Sequence, residues 1–476
     1  MRTSDEYLED LRRMRQNIYM GGRPVQRDDS RIMPGVNVMK ITFDMAQDPA
    51  NSGLFTETSQ YTGKKINRFC NVCDSVDDLL KKQKMIRTGT RLSGFCIQRC
   101  MGTDTINMLS VVTRDLDDAT GKTEYYPRFL EFIKSYQERD LIAAAVQTDA
   151  KGDRGKRPHE QVDPDLHVRV VSQNRDGIVV RGAKEDITMA SYCDELIVFP
   201  TRTLTRNEKQ WAVAFAVPSD TENVHIINRA SSPRERKILK APLNTYGSSD
   251  ALVVFDDTFV PWDRVFMCGE HEFGGRMALT FASSHRHSYC GCKPAVEDII
   301  MGLIALTAEY YGVEGKHHIR EKLAHLAGIA ELIYAAGIAA AVESTRSASG
   351  TQVPASIYAN VGRRLAGENT YNCWGMVADV AGGFPVTMPF EEDYFDPVTG
   401  PFISKYTVRN PDVSVEKMHR LQRTLSDYLS SSWAGVWQVG DVHGGGSPVM
   451  ESIAILSTYD FEERKKVVKR LAGIQD

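Results

Sequence analysis

Apolar positions recur at helical spacing near the start of the chain, at Tyr7, Leu8, Leu11 and Met14, and again at Leu79 and Leu80 and at Leu109 and Val112. That period predicts a mostly helical stretch over residues 1–145. From about Val146 to Glu272 the pattern changes to short alternating runs. VRVVSQNRDGIVVRGA holds two β-branched segments around Asn174-Arg175-Asp176-Gly177, a hairpin signal, and ELIVFPT, WAVAFAVP, VHIINR and ALVVFDDTFVP follow. Residues 146–272 therefore read as a β-domain. Over 273–476 helical periods return, including the Ala-rich KLAHLAGIAELIYAAGIAAAVESTR, whose small residues suit close helix packing. The order is helical, β, helical, an α+β chain of three domains without an internal repeat. The most linker-like stretch, TDAKGDRGKRPHEQVDPD, reads as a loop rich in Gly, Pro and charge.

At 476 residues the chain exceeds what one core fills, in keeping with that division. A hydrophobic share of 42% and a charged share of 25% mark an ordinary globular protein, not a disordered one. A formal charge of -4 gives no electrostatic footprint for nucleic acid, so small molecules are the expected partners. MRTSDEYLEDLRRMRQ lacks the apolar core of a signal peptide, and no stretch reads as a membrane span of roughly 18 apolar residues. A cytoplasmic protein is the expectation. Nine cysteines, an odd number, argue for reduced thiols that are free to bind metal.

Two of them, Cys96 and Cys100 in RLSGFCIQRCMGTDTINMLSVV, lie four residues apart. Read as helix, that spacing puts both sulfurs on one face, about 5–6 Å apart at Cβ. An isolated pair of this kind is more often two small buried hydrophobes. About 190 residues later come His285 and Cys292, and three thiols with one imidazole suit either a zinc ion or an iron–sulfur cluster. A rival set is Cys70 and Cys73 in NRFCNVCDS, which could join Cys96 and Cys100 in a four-thiolate zinc site. Against it stands FASSHRHSYCGCKPAVED, where two histidines, a tyrosine, two cysteines and a lysine crowd into nine residues from His285 to Lys293. Within that segment His287 reads as an exposed or satisfied histidine and Cys290 as a small buried residue.

NVMKITFDMAQDP, GKKINRF, CIQRC, TDAKGDRG, DGIVVRGAK, ALVVFDDTFVPWDR, HRHSYCGCK, DVAGGFPVTMP and HGGGSP together cover most of the chain. On these stretches it resembles the 4-hydroxyphenylacetate 3-hydroxylase flavoprotein family, and within it the 4-hydroxybutyryl-CoA dehydratases. The resemblance implies an acyl-CoA dehydrogenase-like fold: an N-terminal helical domain, a central β-domain and a C-terminal helical bundle. It implies FAD beside a [4Fe–4S] cluster held by Cys96, Cys100, His285 and Cys292, a set the family's aromatic hydroxylases lack. It further implies a homotetramer built as a dimer of dimers, and radical dehydration of 4-hydroxybutyryl-CoA to crotonyl-CoA, with vinylacetyl-CoA isomerisation as an associated activity.

Carried over residue by residue, Gln98, His285, Tyr289 and Lys293 would act on the substrate. Arg87, Thr148, Asp149, Lys151, Gly152, Asp153, Arg154 and Thr188 would line the flavin cleft, and Gly382 and Gly383 would approach the adenine of a neighbouring subunit. Two positions depart from the pattern. A cleft glutamate is replaced by Gly440, with Asp441 the nearest acid, and a second is shortened to Asp250. These changes leave open His285, His287 or Asp441 as the proton-transfer group, or a paralogue acting on another hydroxyacyl-CoA. A flavin-dependent aromatic hydroxylase and a zinc-stapled binding protein are the alternatives of other classes.

Overall fold

The computed structural model describes residues 1–474. Its centre is a six-stranded sheet ordered Arg23–Val25, Ile18–Met20, Val224–Ser231, Ser248–Pro261, Gly177–Thr188, Arg169–Gln173. A four-stranded sheet, ordered Val265–Cys268, Val213–Pro218, Glu195–Val198, Ala143–Val146, carries the almost wholly apolar runs expected of strands covered on both faces. The hairpin at Asn174 forms as the sequence predicts. Asn174 N donates to Gly177 O at 2.9 Å, and its side-chain Oδ1 accepts from the Asp176 and Gly177 amides. At Gly182, φ is +129° and a Cβ would stand 2.6 Å from the His167 carbonyl, so only glycine lets the two backbones approach.

The N-terminal stretch is not purely helical. Ile18–Met20 pairs in parallel with Val224–Ser231, Ile18 opposite Ile226, so the first residues extend the central sheet. A strand of three residues leaves too short an alternation to register against the surrounding helical period. Helices follow at Val76–Ser93, Cys100–Thr120 and Tyr125–Glu138, and the C-terminal part is helical apart from a two-residue-per-strand hairpin. His317–Val342 is long and apolar enough to cross a membrane, with a mean hydropathy of 1.6 over its most apolar window. Such a stretch runs against the expectation of no membrane-length apolar segment; here the helix packs on Gly274–Tyr310 and Ser356–Ala381, and its Ala and Gly positions serve close helix contact.

The helix that organises the C-terminal half is Gly274–Tyr310, 37 residues with Pro294 inside it. Proline lacks the N–H that would bond the carbonyl four residues back, here Cys290. Gln83, fully buried on the helix Val76–Ser93, replaces it: its Nε2 donates to Cys290 O at 3.0 Å and to Tyr334 O at 2.8 Å. Glycines make the crossing possible. A Cβ at Gly337 would lie 2.3 Å from Gln83 Nε2, and one at Gly362 would lie 2.6 Å from Cys290 Sγ. Cys290 is thus a packing residue whose thiol donates to Arg286 O at 3.4 Å.

Gln83→Leu should orphan the buried Cys290 carbonyl, worth about 1–3 kcal/mol, while Tyr334 O keeps its bond within the helix His317–Val342, and should lower the thermal midpoint. Adding Pro294→Ala, which restores an N–H for Cys290 O, should recover part of the loss. A double variant no more stable than Gln83→Leu would count against this account of the helix.

Candidate functional site

Periodicity predicts one continuous helix through Cys96 and Cys100, and the structure breaks it. The helix Val76–Ser93 ends at Gly94, φ +78°, where a Cβ would meet Leu243 at 2.7 Å. The next helix begins only at Cys100. Between them Gln98 adopts φ +62° and its backbone N–H donates to Cys96 Sγ at 3.4 Å. Gln98 is locked in this unusual conformation from outside: its Nε2 donates to Gly247 O at 3.0 Å and its Oε1 accepts from the Tyr192 hydroxyl at 2.6 Å. Those bonds commit its amide to the fold. Arg99 anchors the same loop, donating to Thr42 Oγ1 at 2.8 Å and pairing with Asp140 at 2.5 Å.

On the long helix His285, Tyr289, Cys292 and Lys293 share one face, as four- and seven-residue spacing requires. Cys292 and Cys100 both stand within hydrogen-bonding reach of Cys96. The crowding has an electrostatic signature. Cys96 is pushed up to about 12, first by its hydrogen bond with Cys100, and Cys292 well above its ordinary value, first by its hydrogen bond with Cys96, with burial and the neighbouring thiol adding to both. A metal centre removes that penalty. Donor atoms of Cys100, Asp104 and His285 lie within 4.8 Å of one another. Three sulfurs and an imidazole, gathered in a nearly buried site, are a donor set that suits a zinc ion or an iron–sulfur cluster. The competing four-thiolate set does not assemble. Cys70 directs its thiol to Asp140 and Leu141 O, each at 3.5 Å, and Cys73 packs with Leu79 and Ala341.

Around this group the polar side chains are dense. Tyr289 has its ring 5.1 Å from that of His285, with the cations of Lys293 and Arg363 at 4.9 and 4.7 Å from its centroid. Burial pushes its phenol up to about 12 against those cations, so it is a hydrogen-bond donor at neutral pH. Lys293 pairs with Asp441. Burial alone would lower Lys293, but the charge of Asp441 more than offsets it and holds the ammonium above its ordinary value. The glycine run packs onto the same face: a Cβ at Gly444 would stand 1.9 Å from the Tyr289 hydroxyl. Arg286 and Arg363 hold the run by donating to Gly445 O at 3.0 Å and Gly444 O at 2.9 Å. His287 is fully buried nearby, and desolvation keeps it neutral.

The remaining candidates fall in separate places. Thr188 and Asp250 are cross-strand neighbours, the hydroxyl donating to the carboxylate at 2.6 Å, and burial raises Asp250. Tyr192 ties them to the cysteine loop, since it bonds Gln98 and accepts from Ser249 N at 3.2 Å. Asp149 is buried, and Lys184, 2.6 Å away, holds it below the usual carboxylate range despite that burial. His167 stands 3.6 Å from it, too far for a hydrogen bond. Thr148 O accepts from Glu185 N at 2.9 Å, Lys151 pairs with Glu185 at 2.6 Å, and Gly152, Asp153 and Arg154 are exposed. Arg87 gives its guanidinium to Asp298 and Glu331 at 3.0 and 2.7 Å, and Gly382 and Gly383 are exposed after the helix Ser356–Ala381.

Sequence reading missed Lys82, Asp104, Arg363 and Glu297, each a polar residue inside an otherwise helical run. Glu297 lies one turn beyond Lys293, and its Oε2 has no hydrogen-bond partner among the described residues. Burial raises this carboxyl to about 7.

The chain is thus of the mixed α/β class with a buried thiol and imidazole site, and direct comparisons place it in a family. The family model for the 4-hydroxyphenylacetate 3-hydroxylase N terminal matches residues 3–267, and the C-terminal model matches 275–473. A Clostridium aminobutyricum protein, 4-hydroxybutyryl-CoA dehydratase/vinylacetyl-CoA-Delta-isomerase, is 36% identical over 99% of each chain. The solved 4-hydroxybutyryl-CoA dehydratase of N. maritimus superposes with a TM-score of 0.95 at 34% identity, over 100% of this chain and 95% of that one. An oxygenase component solved with FAD and 4-hydroxyphenylacetate shares the fold, with a TM-score of 0.90 at 24% identity over 99% and 98%. The chain belongs to the 4-hydroxyphenylacetate 3-hydroxylase family. Within that family it is an enzyme of the 4-hydroxybutyryl-CoA dehydratase kind, a group of hydro-lyases.

Glu297 yields a pH test. Its carboxyl rises from an ordinary 4.5 to about 7 in the folded chain. Between those values the folded protein keeps a proton that the unfolded chain releases, so stability falls as pH rises through the window. Glu297→Gln should remove that slope. Its gain over the parent should be larger at pH 8 than at pH 5, by up to about 3 kcal/mol, as read from thermal or urea unfolding.

Proposed function

We propose that this protein is an FAD- and [4Fe–4S]-dependent dehydratase of a 4-hydroxyacyl-CoA, converting 4-hydroxybutyryl-CoA to crotonyl-CoA as a homotetramer. Vinylacetyl-CoA isomerisation would be an associated activity. The observation that carries the reading is the approach of Cys100 and Cys292 to Cys96, with His285 beside Cys100. Cys96, Cys100, Cys292 and His285 would hold the cluster. Thr148, Asp149, Lys151, Gly152, Asp153, Arg154, Thr188 and Arg87 would line the flavin site, with Gly382 and Gly383 reaching a neighbouring subunit's adenine.

The substrate sets the difficulty. Its carbonyl acidifies the hydrogen on C2 and not that on C3, so simple elimination of the C4 hydroxyl is blocked. Turnover removes one proton from C2 and one from C3, expels the hydroxyl and returns a proton to C4, a net loss of water. When bound, the flavin would supply a reversible one-electron step and the cluster a Lewis-acidic iron. The protein's residues do the rest. Lys293 presents a fixed charge to the thioester oxygen, and the protonated Tyr289 donates to the departing hydroxyl. Asp441, paired with Lys293, takes the C2 proton and frees that charge for the developing enolate. Glu297 supplies a second carboxyl able to hold a proton near neutrality.

Gly440 and the short Asp250, whose carboxylate is engaged by Thr188, favour a second reading in which the same chemistry serves a different hydroxyacyl thioester.

Protein purified without oxygen should be brown, contain about four irons per chain with bound flavin, and form crotonyl-CoA from 4-hydroxybutyryl-CoA. Replete protein inactive on this thioester but active on another would select the second reading. Yellow protein with flavin and no iron would overturn both in favour of an aromatic hydroxylase. Cys292→Ala should bleach the cluster absorbance while flavin absorbance persists.

A further inference from the structure

A buried carboxylate stands behind His285. Asp104 lies on the helix Cys100–Thr120, one turn after the first residue of that helix, and its side chain is fully buried. Its Oδ1 accepts from Lys82 Nζ at 2.8 Å and from Ser288 Oγ at 2.9 Å, and its Oδ2 lies 2.9 Å from His285 Nδ1. Lys82 is itself buried, 1% exposed, and also donates to Ser284 O at 3.3 Å. Three helices therefore converge on one carboxylate: Val76–Ser93 through Lys82, Cys100–Thr120 through Asp104 itself, and Gly274–Tyr310 through Ser288 and His285.

The chemistry of that arrangement decides which ring nitrogen carries the proton. Lys82 and Ser288 both donate to Oδ1, so Oδ2 faces Nδ1 as an acceptor. Nδ1 of His285 must then be the donor, which leaves the lone pair on Nε2 for a metal. Phe281 stacks on the ring at 5.3 Å and limits its rotation. We infer that Asp104, with Lys82 and Ser288 holding it in place, is the positioning residue that presents His285 Nε2 as a ligand, fixing its tautomer and its direction from outside the ligand set. The inference rests on the cluster reading above.

Asp104→Asn separates this role from simple packing. The variant is nearly isosteric, but its amide group can donate to Nδ1 and so favours the tautomer whose Nε2 carries the proton and cannot ligate. In anaerobically purified full-length protein, the parent should contain about four irons per chain. Asp104→Asn should keep its flavin and oligomeric state, fall to about three irons per chain, and show the paramagnetic signal of a three-iron cluster. Asp104→Glu, which restores an acceptor, should recover the fourth iron. Should the lone ammonium of Lys82 unfold Asp104→Asn, the double variant Lys82→Met with Asp104→Leu removes both buried charges together and should show the same loss of one iron. Full iron content and an unchanged iron Mössbauer spectrum in the folded Asn or double variant would overturn the positioning role. Loss of every iron from Asp104→Asn, without rescue by glutamate, would overturn it in favour of Asp104 as a direct ligand. A parent protein without iron would overturn both this inference and the cluster reading.

Discussion

A charge placed where water cannot reach it must find its opposite, and this requirement governs the middle of the molecule. Lys82 with Asp104, Arg99 with Asp140, Lys293 with Asp441 and Arg363 with Glu451 are all nearly inaccessible to solvent. Removing one member of such a pair strands the other, at about 3–5 kcal/mol. Each pair joins segments distant in sequence, so the pairs act as registration marks between helices that apolar packing alone would let slide. The reactive groups inherit that precision. Cys100 starts its helix where Arg99 pins the loop, and His285 and Cys292 sit on a helix tied to two others through Asp104 and Gln83.

Arranged this way, the site separates two tasks. One side gathers soft, crowded thiols beside an imidazole. On the other, Tyr289 stands between Lys293 and Arg363 with a carboxylate behind each, a polar and charge-balanced lining. The long helix carries both, and its proline interruption falls just after Cys292, where the two sides meet.

Much of this was legible in the chain. Helical and strand periods located the main helices and the central strands, and the hairpin at Asn174-Arg175-Asp176-Gly177 announced itself through turn chemistry. The cysteine loop did not. Local propensity around CIQRC is helical, and the break is imposed by Gly247 and Tyr192, some 95 to 150 residues away, through the side chain of Gln98. Asp104 and Glu297 were invisible for a related reason. A single acid in a helical run reads as a solvated face, and only the packing of other helices over it shows that it is buried. Residue patterns carry the kinship of the chain, whereas the placement of individual side chains depends on packing between distant segments that no local pattern encodes.

The parallel pairing of Ile18–Met20 with Val224–Ser231 has a consequence for how the chain can be divided. Two short strands near the beginning, Ile18–Met20 and Arg23–Val25, complete a sheet whose other four strands come from the middle, so the first third is not a detachable module. Cutting there would leave the flank of Val224–Ser231 with unpaired amide and carbonyl groups, an open template for other chains. Fragments of this protein should be sticky where the whole is not, and synthesis must hold the opening residues in waiting until more than two hundred others have followed.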